Sequence, residues 1–211
     1  DGAAPSSHMV RMTDHRNDTT GPGALYCAAQ DYIDVQYLTL RGAYPLSVGT
    51  QGAAGLSFSD CEHITANHIT SMYNLVGVGF DGGVDVTIGA DVVGSRNYAA
   101  GAALEATPVA IAGVRLSGTY EYNSRTPQVA TNGQTVGEIF DGDGIGIGQS
   151  GGTFTGIRIS GVTARYNGSI DGSTDTGGSG IYVGSSAAMS AEVHIKESLI
   201  ADNHGCGLHM G

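Results

Sequence analysis

The chain has 211 residues, of which 35 are glycine and 40% are hydrophobic. This hydrophobic content is typical of a folded chain, and the absence of a Gly-X-Y period excludes collagen. Twenty acidic residues against nine basic ones give a formal charge of −11. Nucleic acid and anionic membrane surfaces attract proteins with a positive field. We therefore predict that the protein binds no nucleic acid.

No segment approaches the roughly 20 apolar residues of a membrane-spanning helix, and the N-terminus lacks a secretion signal. We predict no membrane insertion. Because the chain begins at Asp1 and stops at Gly211 within a repeated pattern, we expect it to be part of a longer or processed chain. Its three cysteines, Cys27, Cys61 and Cys206, are too few and too scattered for a disulfide framework or a zinc site. We predict that they are small buried hydrophobic residues.

Two short apolar patterns alternate along the chain. The first places two aliphatic residues five positions apart: Val35 and Leu40, Ile64 and Ile69, Ile88 and Val93, Ile111 and Leu116, Ile159 and Ala164, Ile195 and Ile200. The second places two apolar residues two positions apart: Leu46 and Val48, Val76 and Val78, Ala102 and Leu104, Ile145 and Ile147, Ile181 and Val183, Leu208 and Met210. These patterns predict β-strands with one buried face, bent between the two residues of the first pattern.

Copies of the first pattern recur every 23 to 48 residues, and the shorter intervals suit one coil of a parallel β-solenoid. The stretches IRISGVTARYNG with GSGIYVG, and VHIKESLIADNHG with CGLHMG, resemble repeats of right-handed parallel β-helix proteins of the pectin-lyase-like kind. The resemblance implies an all-β parallel β-helix of about seven coils with two inserted loops. It covers residues 23–211 and continues beyond the chain, with an N-terminal segment or incomplete first coil at 1–22. It implies no single activity, because such β-helices include polysaccharide lyases, hydrolases, epimerases, phage tailspikes and adhesins.

Four asparagines follow predicted strands: Asn74, Asn97, Asn167 and Asn203. Asparagine tolerates left-handed backbone angles, so we predict that these residues turn the chain at corners of the solenoid.

Two insertions, at residues 117–143 and 165–179, interrupt the repeat at the same corner of adjacent coils. Since repeat proteins carry function in such insertions, we expect the two loops to stand side by side and wall a cleft. Tyrosine faces can lie against sugar rings, and charged groups can hydrogen-bond sugar hydroxyls. The loops therefore supply the substrate-binding candidates Tyr120, Tyr122, Arg125, Arg165 and Tyr166. The alternative is that long loops simply collect polar residues.

Asp141 and Asp143 are the candidate catalytic carboxylates, because a pair of carboxyl groups can divide acid and base roles at a glycosidic bond. The stretch FDGDGIGIG also fits two Asp-Gly turns that lead into a strand. The same spacing could hold Ca²⁺, although the rest of an EF-hand loop is absent. The cofactor is otherwise unknown.

The outward positions of successive coils add further candidates. Tyr182 and His209 are equivalent to Gly146, so they join the substrate-binding candidates. His204 lies with Asp202 at the corner beneath the second insertion, where a histidine could transfer protons; solvated surface histidines are the alternative. No complete signature of a lyase, an epimerase or a polygalacturonase-type hydrolase is present.

Small outward residues, Ser47, Gly77, Ala103 and Gly146, predict a flat stripe along four coils. Such a stripe permits close approach of another backbone, so it could pack a homotrimer of the tailspike kind.

These features favour an extracellular, cell-surface or virion protein that interacts with a glycan, of tailspike or polysaccharide-depolymerase type, with catalysis by a lyase or glycoside hydrolase left open. The expected partner is a neutral or weakly charged polysaccharide or surface glycan, because the acidic chain repels a strongly anionic one. The alternative is a structural or adhesin solenoid without a catalytic site.

Overall fold

The computed structural model describes residues 23–42, 54–97, 99–106, 110–123, 142–149, 152–168, 178–184 and 193–211. Within these ranges the regular structure consists of β-strands, and every strand pairing is parallel. No helix that could cross a lipid bilayer occurs in them.

Seventeen strands are described. They are β1 (Gly23–Ala28), β2 (Asp31–Arg41), β3 (Ala54–Ser59), β4 (Glu62–Met72), β5 (Val76–Asp81), β6 (Gly83–Ile88), β7 (Val93–Ser95), β8 (Ala100–Ala106), β9 (Ile111–Ala112), β10 (Arg115–Glu121), β11 (Asp143–Gln149), β12 (Phe154–Thr155), β13 (Ile157–Arg165), β14 (Ile181–Val183), β15 (Val193–Lys196), β16 (Leu199–Ala201) and β17 (Leu208–Met210).

The strands form two parallel sheets, between which the chain alternates. The first sheet contains β1, β3, β5, β8, β11, β14 and β17 in chain order. The second sheet contains the other ten strands. Each of them pairs with a strand from a neighbouring turn of the chain. We use the word layer for one strand of the first sheet together with the strands of the second sheet that follow it in the chain. The protein is all-β with long parallel sheets, which is consistent with a β-solenoid.

One hydrophobic core contains inward side chains from both sheets. In the first sheet, Leu56, Val78 and Ala102 lie beside one another on neighbouring strands. In the second sheet, Ile64 lies beside Val86, and Ile159 beside Ile195. The period-two alternation in each strand places these residues inside, and burial of each aliphatic side chain contributes roughly 1.5–3 kcal/mol.

The predicted register is right at the C-terminal end, shifted by two residues nearer the N-terminus, and wrong in the middle of the chain, where Leu116 rather than Ile111 pairs with both Ile88 and Ile159. Ile145, Ile181 and Leu208 pair as predicted. Ile64, however, pairs with Val86 rather than Ile88, and Val76 pairs with Ala100 rather than Ala102. A slip of two residues keeps every side chain on the same face, so the apolar pattern alone does not detect it. Leu46 and Val48 lie outside the described residues, and β3 is the strand that pairs with β5.

A ladder of asparagines runs along one corner of the stack, beside the core. In each step, Oδ1 of one asparagine accepts hydrogen bonds from both the backbone N–H and the Nδ2 of the asparagine one layer earlier, at 2.9–3.3 Å. Each Nδ2 also donates to a backbone carbonyl of the preceding layer. The members of the ladder are Asn74, Asn97, Asn123, Asn167 and Asn203. Four of these corner positions are confirmed, and Asn123 is an addition to the sequence prediction.

The reason predicted for these asparagines is wrong. The left-handed backbone conformation belongs to the residue before each asparagine, with φ of 53–58°. Those residues are Tyr73, Arg96, Tyr122, Tyr166 and Asp202. The asparagines are therefore needed for their side chains, which satisfy buried backbone groups at the corner, and not for backbone freedom.

A column of glycines packs against the asparagine ladder. A Cβ on Gly101 would lie 2.7 Å from Nδ2 of Asn123 and 2.7 Å from the carbonyl oxygen of Gly144. Gly77 belongs to this column, so it does not join the predicted outward stripe. Of the other stripe residues, Ala103 and Gly146 are buried, and Ser47 lies outside the described ranges. The exposed stripe proposed as a subunit contact is therefore not found in this part of the chain.

Substitution of Asn123 by alanine is expected to lower the free energy of unfolding by about 3 kcal/mol, because four hydrogen bonds disappear and buried polar groups are left without partners. Urea denaturation followed by circular dichroism measures the change. Thr155→Ala, at an exposed position, is the control and should change stability by less than about 0.5 kcal/mol. Equal effects of the two substitutions would contradict a stabilising ladder.

Candidate functional site

Large polar side chains project outward at the same corner at which the asparagines are buried. A residue that adopts the left-handed conformation directly before each asparagine projects away from the core. Four of these residues, with two neighbouring arginines, form what we call the tyrosine–arginine row: Arg41, Tyr73, Arg96, Tyr122, Arg165 and Tyr166. The fifth, Asp202, is acidic and is not included in the row.

Two arginines surround Tyr73. The guanidinium carbon of Arg41 lies 4.9 Å from the centre of the Tyr73 ring, and that of Arg96 lies 5.9 Å from it. Arg96 also donates a hydrogen bond from Nη1 to the hydroxyl of Tyr73, at 2.7 Å. This part of the row thus presents two guanidinium groups around one phenol.

The row continues with a tyrosine pair. The rings of Tyr122 and Tyr166 are stacked, with centroids 5.1 Å apart and an interplanar angle of 17°. The guanidinium carbon of Arg165 lies 5.2 Å from the centre of the Tyr166 ring. Arg165 Nε donates to Oε2 of Glu121 at 2.9 Å, across the directly paired strands β10 and β13. Adjacent layers are therefore tied together on the outside as well as the inside.

The row is a local concentration of positive charge on an acidic protein. The Tyr73 hydroxyl, as hydrogen-bond acceptor, raises the pKa of Arg96, and the Glu121 carboxylate raises the pKa of Arg165. Both side chains stay charged at any physiological pH. Within the described ranges, Glu121 is the only carboxylate in an ion pair with an arginine of the row. Arg41 and Arg96 form no ion pair within the described ranges, and Arg96 donates one hydrogen bond to Tyr73.

The geometry limits how this row could contact a ligand. Because Tyr122 and Tyr166 stack on each other, the face that each ring turns to the other is closed to a sugar ring. Tyr122 is still 40% exposed. The row can therefore offer ring edges, phenol hydroxyls and guanidinium N–H groups, which form hydrogen bonds rather than a stacking platform.

Tyr120, a predicted substrate-binding residue, lies in the core. Its side chain is 0% exposed and occupies the inward position beside Ala164 on the neighbouring strand. Its hydroxyl donates to the carbonyl oxygen of Ser117 at 2.7 Å, and burial raises its pKa far above the usual range. Since the ring has no surface toward solvent, Tyr120 cannot contact a polymer directly. Continuation of the period-two alternation beyond Leu116 would have predicted this burial.

Asp143, a catalytic candidate, has a structural contact. It is the first residue of β11, is 3% exposed, and accepts a hydrogen bond at Oδ1 from the backbone N–H of Ser179 at 2.6 Å. The carboxylate thus links adjacent layers at the end of the second predicted loop. The other catalytic carboxylate, Asp141, and the substrate-binding candidate Arg125 lie outside the described residues.

The remaining candidates lie in two places. His204 is exposed at the corner one layer beyond Tyr166, and its backbone N–H donates to the carbonyl oxygen of Asn167. Tyr182 and His209 lie side by side on β14 and β17, with ring centroids 5.1 Å apart in an edge-to-face contact. The predicted equivalence of Gly146, Tyr182 and His209 is confirmed. These two rings belong to the first sheet and not to the tyrosine–arginine row.

The flanks of the two predicted loops are adjacent, although most of both loops lies outside the described residues. Glu121 and Arg165, which end β10 and β13, are paired on neighbouring strands, so residues 117–121 of the first predicted loop belong to a strand. Ile145 and Ile181, which follow the two loops, are paired as well. Tyr122 and Tyr166 of the row stand at the start of the two loops.

Sequence reasoning missed Arg41, Tyr73 and Arg96. A signal was present, since a tyrosine or arginine stands directly before four of the five corner asparagines, in Tyr73-Asn74, Arg96-Asn97, Tyr122-Asn123 and Tyr166-Asn167. Alignment of the repeats on the asparagine would have placed these residues in one row.

Two smaller outward rows on the second sheet were also missed. Tyr32 stacks on His63 at 4.6 Å, and Nδ1 of His63 lies 3.2 Å from Oδ2 of Asp85. Arg115 also pairs with Asp85, and with His63 it lowers the pKa of that carboxyl. Five residues further along the same strands, Tyr37 stacks on His68, which contacts Asp91.

No group of three or more histidine, cysteine, aspartate or glutamate side chains that could hold a metal ion occurs in the described ranges. The Ca²⁺ hypothesis depended on both Asp141 and Asp143. Of these two carboxylates, Asp141 lies outside those ranges.

Neither a protein-family model, nor a curated protein, nor a solved structure matches this chain. The resemblance to pectin-lyase-like β-helices therefore enters below only as a proposal.

Substitution of Asp143 by alanine is expected to lower the free energy of unfolding by about 1–3 kcal/mol, because the buried N–H of Ser179 loses its acceptor. Asp143→Asn keeps a side-chain oxygen and should cost less. Chemical denaturation measures both variants, with Asp34→Ala, at an exposed carboxylate, as the control. Wild-type stability in Asp143→Ala would rule out the structural role.

Proposed function

We propose that this protein is an extracellular glycan-interacting β-helix of tailspike or polysaccharide-depolymerase type. It binds a polysaccharide along the tyrosine–arginine row and between the loops at residues 117–143 and 165–179. The observation that carries the proposal is the row itself, since it aligns phenol and guanidinium groups from successive layers beside both loops. The proposal includes the right-handed, pectin-lyase-like architecture with about seven coils, which the chain-order stacking of the first sheet supports.

A repeating polymer suits a repeating surface. Neighbouring strands of a sheet lie about 4.8 Å apart, so the row offers a hydrogen-bonding side chain at each such step along the stack. A polymer that runs along the row meets a similar set of donors again and again. A small molecule would use only one or two of them.

Charge selects among polymers. The net charge of −11 repels a strongly anionic chain, whereas Arg41 and Arg96 can donate hydrogen bonds to sugar hydroxyls or to an occasional carboxylate. A neutral or weakly acidic glycan satisfies both conditions. Such glycans are found at cell surfaces and in capsules, and this favours an extracellular or virion location.

Removal of the two hydroxyls of the tyrosine pair is expected to weaken polysaccharide binding. The double variant Tyr122→Phe/Tyr166→Phe keeps both rings and their stacking but deletes two groups that could hydrogen-bond sugar hydroxyls. With about 1 kcal/mol for each lost bond, Kd should rise by about 10- to 100-fold. Affinity electrophoresis against a panel of capsular and plant polysaccharides identifies the ligand, and calorimetry measures the affinity.

The matched control is Tyr32→Phe. Tyr32 is also an exposed, stacked tyrosine with a left-handed backbone, but it lies near the start of β2, whereas the row follows the strand ends. Unchanged Kd is expected for this variant. A failure of every polysaccharide to bind, or an equal loss in the control, would refute the proposed binding surface.

Cleavage is the second part of the proposal, with a lyase or glycoside hydrolase as the reaction type. Asp141 and His204 are the acid and base candidates, because the Asp143 carboxylate already accepts a backbone hydrogen bond. In polysaccharide digests we expect new reducing ends or unsaturated products, which Asp141→Asn abolishes without loss of binding. Binding without products would leave a recognition module.

A non-catalytic structural or adhesin solenoid is the competing function, and the continuous asparagine ladder favours it because such a ladder stiffens a spacer. A stable homotrimer in light scattering, with no binding to the panel, would support that function. A polysaccharide ligand would exclude a purely structural role.

A further inference from the structure

Two of the three cysteines meet in space although they are 34 residues apart in sequence. The sulfur atoms of Cys27 and Cys61 lie 2.8 Å apart. Cys27 lies on β1, and Cys61 lies in the short turn between β3 and β4. Cys61 is buried in the hydrophobic core and Cys27 packs against it, as the sequence predicted, whereas the prediction of burial is wrong for Cys206, which is exposed.

We infer that Cys27 and Cys61 form a disulfide bond in an oxidising environment and so cross-link the first two layers. A disulfide requires an S–S separation of about 2.05 Å, so the two sulfurs need approach by less than about 1 Å. The inward alternation of β1 and the sharp turn at Cys61 already direct both side chains to the same point. Cys206 is exposed between β16 and β17, several layers away, and has no part in this contact.

Thiol–disulfide exchange supplies a balanced route to the bond. Cys27 is partly exposed, whereas Cys61 is buried. The Cys27 thiolate attacks a sulfur of glutathione disulfide and releases one glutathione thiolate. The Cys61 thiolate then attacks the Cys27 sulfur of this mixed disulfide and releases the second glutathione. The two protein thiols lose two protons and two electrons, and glutathione disulfide takes up both electrons.

The same burial makes the folded pair slow to react. Burial, with the neighbouring Cys61 thiol, raises the pKa of Cys27 to about 12. The reactive thiolate is therefore scarce at neutral pH in the folded protein. Once the bond has formed, the buried Cys61 sulfur is shielded from external reductants. The bond should thus form readily during folding and persist afterwards.

The link closes a loop that includes residues 43–53, between β2 and β3. A cross-link of this span stabilises mainly by restricting the unfolded chain. The inference does not depend on glycan binding, although an oxidising extracellular compartment would favour the bond.

The test uses the full chain, refolded with a mixture of oxidised and reduced glutathione. After alkylation in denaturant, mass spectrometry should find one modified cysteine out of three and a peptide pair joined through Cys27 and Cys61. Three modified cysteines, or a bond that includes Cys206, would overturn the inference. This measurement uses only the wild-type protein, so its result does not depend on whether a cysteine variant folds.

Thermal melts provide the second measurement. Dithiothreitol should lower Tm of the oxidised wild-type protein and of the Cys206→Ser control by roughly 5–10 °C. It should not change Tm of Cys27→Ser or Cys61→Ser. Reduction should also be faster in urea than in the native protein, because unfolding exposes both sulfurs, whereas the native bond is open to a reductant only at the partly exposed Cys27 sulfur. Equal reduction rates, or a Tm insensitive to dithiothreitol, would refute a stabilising and shielded bond.

Discussion

The asparagine ladder is the interaction on which the rest of the structure depends. Parallel strands satisfy their own backbone groups, but the turns between sheets leave N–H and carbonyl groups at a buried corner. One amide side chain per layer supplies both an acceptor and a donor there, and each amide bonds to the next. The layers therefore hold one another in register at the place where strand pairing ends. Glycines opposite the ladder leave the room that these amides need.

The ladder also determines what the surface presents. An asparagine that points inward requires the preceding residue to turn the chain, and that residue then points outward with a left-handed backbone. The inward residue is asparagine in each of the five layers of the ladder, whereas the outward residue before it is tyrosine, arginine or aspartate. A structural repeat thus produces a row of polar side chains whose identity can change without loss of the corner. This separation of tasks explains how one surface can be adapted to a ligand.

Position along the stack gives the row its importance. It passes the starts of both predicted loops, and it concentrates guanidinium groups on a protein that is otherwise acidic. The tyrosine rings cover one another, so specificity would arise from hydroxyl and guanidinium hydrogen bonds. The buried Asp143 belongs to the support of this corner, and the core residue Tyr120 lies beneath it.

The sequence by itself determined the all-β class, the parallel strands and four of the corner asparagines, because repeated spacing reports which residues face inward. It also identified Tyr122, Arg165 and Tyr166 as surface candidates. Only the tertiary structure decided the register of the early strands, since a slip of two residues leaves the apolar pattern unchanged. It alone showed that Cys27 meets Cys61 and that Tyr73 lies between two arginines, because both contacts join layers whose separation in sequence varies.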